Sequence, residues 1–131
     1  MGTGAPQLRT LDDGQAEALE RLCDVIVPGC ARVGPAVYID AILVQMPEAV
    51  REHVIASIEA LGEVAQGGAQ ALAAHSHSPD FLHLRALAVE AFYSDFVAPG
   101  RDARGAWDEI DFHPPAAAAL HKDWSYLGIE G

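Results

Sequence analysis

The chain has 131 residues, half of them hydrophobic, and carries 19 acidic against 8 basic side chains for a formal net charge of −11. That length suits one domain, able to bury roughly two-thirds of its unfolded surface without disulfide staples. Lys122 is the only lysine among the basic residues, so there is no basic patch to neutralise nucleic-acid phosphates or to dock on anionic lipid, and neither partner is expected.

Residues 1–9 read as a flexible lead-in. Met1 to Pro6 offers neither the basic n-region nor the apolar h-region of a signal peptide. As written the chain therefore reads as cytoplasmic, with a periplasmic or exported location if a leader has been removed. No run of about 18 apolar residues occurs, so no membrane insertion is expected.

The first helix is predicted over 11–27, with Thr10 as its N-cap and the Asp12 and Asp13 carboxylates at the positive end of its dipole. Ala16, Leu19, Leu22, Cys23, Ile26 and Val27 recur on one face at three- and four-residue spacing. Pro28-Gly29 ends it. A second helix is predicted over 36–46, with Val37, Tyr38, Ala41, Ile42 and Val44 as its stripe; the β-branched content leaves a strand open as the alternative there. Pro47 suits the first position of a third helix over 48–66. Its seam is Val50, Val54, Ile58, Leu61 and Ala65, and Gly67-Gly68 breaks it.

Residues 67–79 form the main linker, with a turn or two of helix over 69–74 and a loop at His75-Ser76-His77-Ser78. Ser78-Pro79 is a cap followed by a first-turn proline, opening a fourth helix over 79–97. Leu84, Leu87, Ala88, Ala91 and Phe92 make its buried stripe, with Phe81 and Phe96 at its ends. Beyond Pro99-Gly100 the pattern is irregular: a polar loop over 101–106, apolar anchors at Trp107, Ile110 and Phe112, a short helix from Pro115 to about Lys122, and a tail whose Trp124, Tyr126, Leu127 and Ile129 pack back on the body. The expected fold is all-α: a compact single-domain helical bundle over 1–131 with an irregular C-terminal segment.

No catalytic constellation is legible. A Gly-x-Ser-x-Gly elbow is missing, and neither Gly2-x-Gly4 nor Gly67-Gly68 continues into a phosphate loop. Cys23, on the apolar face of the first helix, is expected to be a core thiol, whereas Cys30, after Pro28-Gly29, is expected in an exposed loop and to be the faster of the two to react. A disulfide between them would require that face and that loop to meet. His75, His77 and His83 lack the spacing of a zinc site, and the carboxylates Asp102, Asp108, Glu109 and Asp111 lack the alternation of a calcium loop. Neither catalytic, cofactor-binding nor metal-ligating residues are therefore assigned. A stand-alone metal-binding protein using His75, His77 and a carboxylate, or a bundle holding a small molecule between its helices, stands as the alternative.

Ala91-Phe92-Tyr93-Ser94-Asp95, followed by Ala98-Pro99-Gly100, Asp102, and Gly105-Ala106-Trp107, resembles the C-terminal motif of the gluconate 2-dehydrogenase subunit 3 family. The stretch Leu19 to Pro28 is similar to that family's first helix, which also ends at a proline. The resemblance spans about residues 10–115, leaving 116–131 as an extension. The sequence departs from the motif's Gly-Gly-Asn turn and its Asp-Gly, and carries one extra residue in Phe112-His113-Pro114. What the resemblance implies is a non-catalytic small subunit supporting the folding or assembly of a flavin-dependent dehydrogenase of the glucose–methanol–choline class, acting on a sugar, polyol or related alcohol. FAD would lie in that partner, and a cytochrome could join as a third subunit. Phe92, Tyr93, Asp95, Asp102 and Trp107 are the partner-binding residues expected on this basis.

Overall fold

The structure, a computed structural model, describes residues 8–94, 96–99 and 125–129. Five α-helices follow in order: α1 Asp13–Ile26, α2 Pro35–Val44, α3 Glu48–Ala65, α4 Gly68–Ala73 and α5 Pro79–Tyr93. Short 3-10 segments lie at Cys30–Val33 and Ser125–Leu127, and no strand occurs among the described residues. The strand alternative for the second segment is thereby overturned. Asp95, residues 100–124 with their predicted loop, anchors and short helix, and the ends of the chain lie outside the described residues.

Helix α1 begins later than the sequence predicts, and Asp12, not Thr10, caps it. The Gln15 amide donates to Asp12 Oδ1 at 2.7 Å, and the Asp12 amide donates to Gln15 Oε1 at 3.0 Å. This reciprocal pair satisfies two otherwise orphaned groups of the first turn. The Thr10 amide goes elsewhere, to Asp40. Pro47 likewise stands just outside α3 as its N-cap, and Ser78 caps α5 as predicted, accepting from the Phe81 amide at 3.1 Å. Helix α5 stops at Tyr93, four residues short of the expected end; the chain then runs on through Phe96, which is completely buried, to Ala98, whose amide donates to the Val33 carbonyl at 2.8 Å. Residues 74–78 form a hydrogen-bonded turn, with the His75 amide bonded to Leu72 and the Ser78 amide to His75.

Helices α1 and α3 pack against each other, with α2 and α5 completing the core. At the α1–α3 contact a Cβ added to Gly62 would lie 2.9 Å from the Ala18 Cβ, so the close approach of the two helices requires a residue without a side chain. The core takes Leu19, Leu22 and Cys23 from α1, Val54, Ile58, Leu61 and Ala65 from α3, and Leu84, Leu87, Ala88, Ala91 and Phe92 from α5. Several predicted core positions are displaced. Ile26 is only half-buried, Val50 is 43% exposed because the first turn of α3 projects past its neighbours, and Val44 is exposed at the last turn of α2. Helix α2 is covered on most sides: Ala36, Tyr38, Ile39, Ala41 and Leu43 are all buried. A helix packed all round carries no single apolar stripe: of the predicted stripe Tyr38 and Ala41 are buried, whereas Val37 and Ile42 are half-buried and Ile39 and Leu43 join the core instead.

Asp40, on α2, is 2% exposed. Its Oδ1 accepts from the Thr10 and Leu11 amides, both at 2.9 Å, and its Oδ2 from the Arg9 amide at 2.8 Å. A buried carboxylate is tolerable when such donors replace its hydration. The end of the supposed lead-in is thus fastened to α2: Leu8 packs on the core and Leu11 belongs to it. The Arg9 guanidinium extends the tie by donating to the Leu127 carbonyl at 2.7 Å, and Leu127 and Ile129 are buried, as expected of the tail. Tyr126, in contrast, is 67% exposed.

Candidate partner-binding surface

The sequence motif reaches the described structure at the C-terminal end of α5. Phe92 and Tyr93 are neighbours, and adjacent helical side chains diverge by about 100°. Phe92 points into the core at 5% exposure, whereas Tyr93 stands 51% exposed. Their rings meet edge to face, 5.0 Å apart at 85°, and the Arg32 guanidinium lies 5.7 Å from the Phe92 ring centroid on the other element of this surface. Phe92 is thus buried beneath Tyr93, as its place in the stripe of α5 predicts. A tyrosine held against a buried ring presents apolar area and a hydroxyl with little freedom left to lose on binding. Asp95, Asp102 and Trp107 lie outside the described residues, so the structure brings only the first two of the five expected residues together.

Behind Tyr93 the end of α5 is joined to α2 by Tyr38, which sequence reasoning placed only in an apolar stripe. Its ring packs on Phe96, with centroids 5.2 Å apart at 62°, and its hydroxyl lies near the Glu90 and Ser94 side chains. Burial, with the Glu90 charge next, pushes the Tyr38 hydroxyl from 10.0 up to about 12. The folded state therefore holds this proton more tightly than the unfolded state. The associated stability is complete below pH 10 and is lost as pH rises through about 12, a change of about 2–3 kcal/mol. Denaturant midpoints measured across that interval are expected to fall more steeply for the wild type than for Tyr38→Phe; parallel curves would contradict the assignment.

Other chemistry is sparse. Among the described residues no three His, Cys, Asp or Glu side chains come together as a metal site. His75 and His77 lie in the turn after α4, and His53 instead meets Asp80 at 2.7 Å, joining α3 to the start of α5 on an exposed face. An open groove of about 190 Å³ lies between the end of α1, α4 and the first half of α5, lined by Val25, Ile26, Leu72, Phe81 and Arg85 among others. No helix among the described residues is long and apolar enough to cross a membrane.

Of the two cysteines, one departs from expectation. Cys23 is buried as predicted, but Cys30 is buried too, at 0% exposure, and both are free thiols. The reason is the turn that follows α1: the Gly29 and Ala31 amides both donate to Asp24 Oδ1 at 3.1 Å, which folds the chain back and carries Cys30 inward. The expectation that Cys30 is exposed is therefore overturned. No family model, curated protein or solved structure matches this chain.

Proposed function

We propose that this chain is a non-catalytic accessory subunit that binds a flavin-dependent dehydrogenase of the glucose–methanol–choline class, acting on a sugar, polyol or related alcohol, through the surface at the end of α5. The observation that carries this reading is Tyr93: the tyrosine of the Ala91–Asp95 motif is half-exposed and braced from beneath by Phe92. Tyrosine is over-represented among the residues that dominate interface energies, and truncating such an anchor typically costs at least about 2 kcal/mol of binding. The resemblance to gluconate 2-dehydrogenase subunit 3 supplies the kind of partner, with the flavin and the hydride chemistry on the partner's side.

The test is co-purification of the tagged chain from its native cells, with the captured protein examined for flavin absorbance and for alcohol-dependent dye reduction. Tyr93→Ala is expected to weaken capture at least about 30-fold while leaving the circular dichroism and melting temperature of the isolated chain nearly unchanged. Trp107→Ala is the companion variant, since that residue belongs to the same motif. Full capture by both variants would move the interface elsewhere, and absence of any flavoprotein from the wild-type capture would sink the reading. The small-molecule alternative has the groove beside Arg85 in its favour; it requires a stable monomer that binds its ligand with no second protein.

A further inference from the structure

Cys23 and Cys30 are both buried in the core, their backbones each hydrogen-bonded to Val27, and Cys30 Sγ faces the Ala88 carbonyl of α5 at 4.0 Å. They belong to elements of different rigidity. Cys23 is in the last turns of α1, where its carbonyl accepts from the Val27 amide at 2.8 Å. Cys30 begins the four-residue 3-10 segment, and its amide donates to the Val27 carbonyl at 2.9 Å. That segment is bracketed by Gly29 and Gly34, both in the left-handed region at φ 89° and 71°, and it is held on the solvent side by the Asp24 carboxylate. A short turn fastened by a few partly exposed hydrogen bonds opens far more readily than a packed helix. Opening it brings out Cys30 and leaves Cys23 in place.

We propose that Cys23 and Cys30 are a redox-active pair, which a low-molecular-weight disulfide converts to an intrachain disulfide that locks the Pro28-Gly29 turn onto the end of α1. When the turn opens, the Cys30 thiol loses its proton to solvent and its sulfur attacks the small disulfide. A sulfur–sulfur bond to Cys30 forms, and the first small thiolate leaves and takes up a proton. When the turn closes, Cys23 gives up its proton, attacks the Cys30 sulfur and expels the second small thiolate, which is protonated in turn. Two protein thiols are oxidised to one disulfide, and one small disulfide is reduced to two thiols. The order follows from access and acidity together. Contact with Cys30 and burial hold the Cys23 thiol well above its ordinary value, so Cys23 is a poor first nucleophile but stands beside the sulfur it must attack second. Formation of this disulfide requires no partner protein.

The experiment incubates the reduced, full-length chain in reduced and oxidised glutathione at a series of ratios, followed by intact mass and by alkylation after denaturation. The wild type is expected to lose both free thiols, to fall in mass by two hydrogens and to retain no glutathione. Its melting temperature should rise by about 5–10 °C, as closing a short loop in the unfolded chain implies. Cys23→Ser is expected to trap glutathione on Cys30, whereas Cys30→Ser stays unmodified over the same time. A wild type that remains reduced in the most oxidising buffer, that accumulates a glutathione adduct, or that forms interchain dimers instead would overturn the proposal. The wild-type mass alone decides this even if a serine variant folds poorly.

Discussion

Asp40→Ala is expected to lower stability by roughly 3–6 kcal/mol, a large share of the 5–15 kcal/mol typical of a domain. The substitution removes the acceptor for three backbone amides at once, those of Arg9, Thr10 and Leu11. A hydrogen bond to a charged group contributes about 1.5–3 kcal/mol, and a buried donor left without a partner costs about 1–3 kcal/mol. The Leu11 amide is buried and cannot turn to water while Leu11 stays in the core, so the strand of chain from Leu8 to Leu11 must either keep an orphaned amide or detach. Detachment also frees Arg9, which holds the Leu127 carbonyl. Asp40→Asn is the discriminating control. Its carbonyl oxygen can replace Oδ1 and keep the Thr10 and Leu11 bonds, while its amide group would face the Arg9 donor, so a loss of about half that of alanine is expected. Urea midpoints measure both, and limited proteolysis near residue 9 should accelerate in the alanine variant. An unchanged midpoint for Asp40→Ala would remove the carboxylate from its assigned role.

Leu84→Ala and Ile58→Ala are each expected to cost about 2–5 kcal/mol, combining lost transfer free energy with the cavity left behind. Ile58 is completely buried on α3 and Leu84 is 2% exposed on α5, two helices packed against each other, so neither site can collapse without moving a helix. Leu82, two residues before Leu84 and 49% exposed, isolates the effect of burial from that of the substitution, and Leu82→Ala is expected to stay within about 0.5 kcal/mol of wild type. Equal losses for Leu82→Ala and Leu84→Ala, in urea denaturation with unchanged slope, would contradict this orientation of α5.

The same comparison explains what each level of information could decide. Leu84, Leu87, Ala88, Ala91 and Phe92 recur at helical spacing on a helix with one covered face, so the periodicity in the sequence already carries their burial. The Ser78 cap was legible for a related reason, since a side-chain oxygen before a proline-led turn acts within a few residues of itself. The all-α class follows from such local rules, as does the placing of the main helices between the Pro and Gly breaks.

Beyond those local rules only the tertiary structure decides. Asp40 sits in an apolar helix, and nothing local to it announces that the amides of residues 9–11, some thirty positions earlier, will come to its carboxylate. Thr10 and Asp12 are both good caps; α1 starts at Asp13, so the role falls to Asp12, with Gln15 as its reciprocal partner. Cys30 follows a Pro-Gly break and reads as exposed, yet the Asp24 carboxylate gathers the turn's amides and turns the thiol inward, against Cys23. Val50 continues the apolar seam of α3 but projects beyond the helices that could cover it. In each case the local sequence states what a side chain is able to do, and the residue brought to it from a distance by the packing of other helices determines what it does.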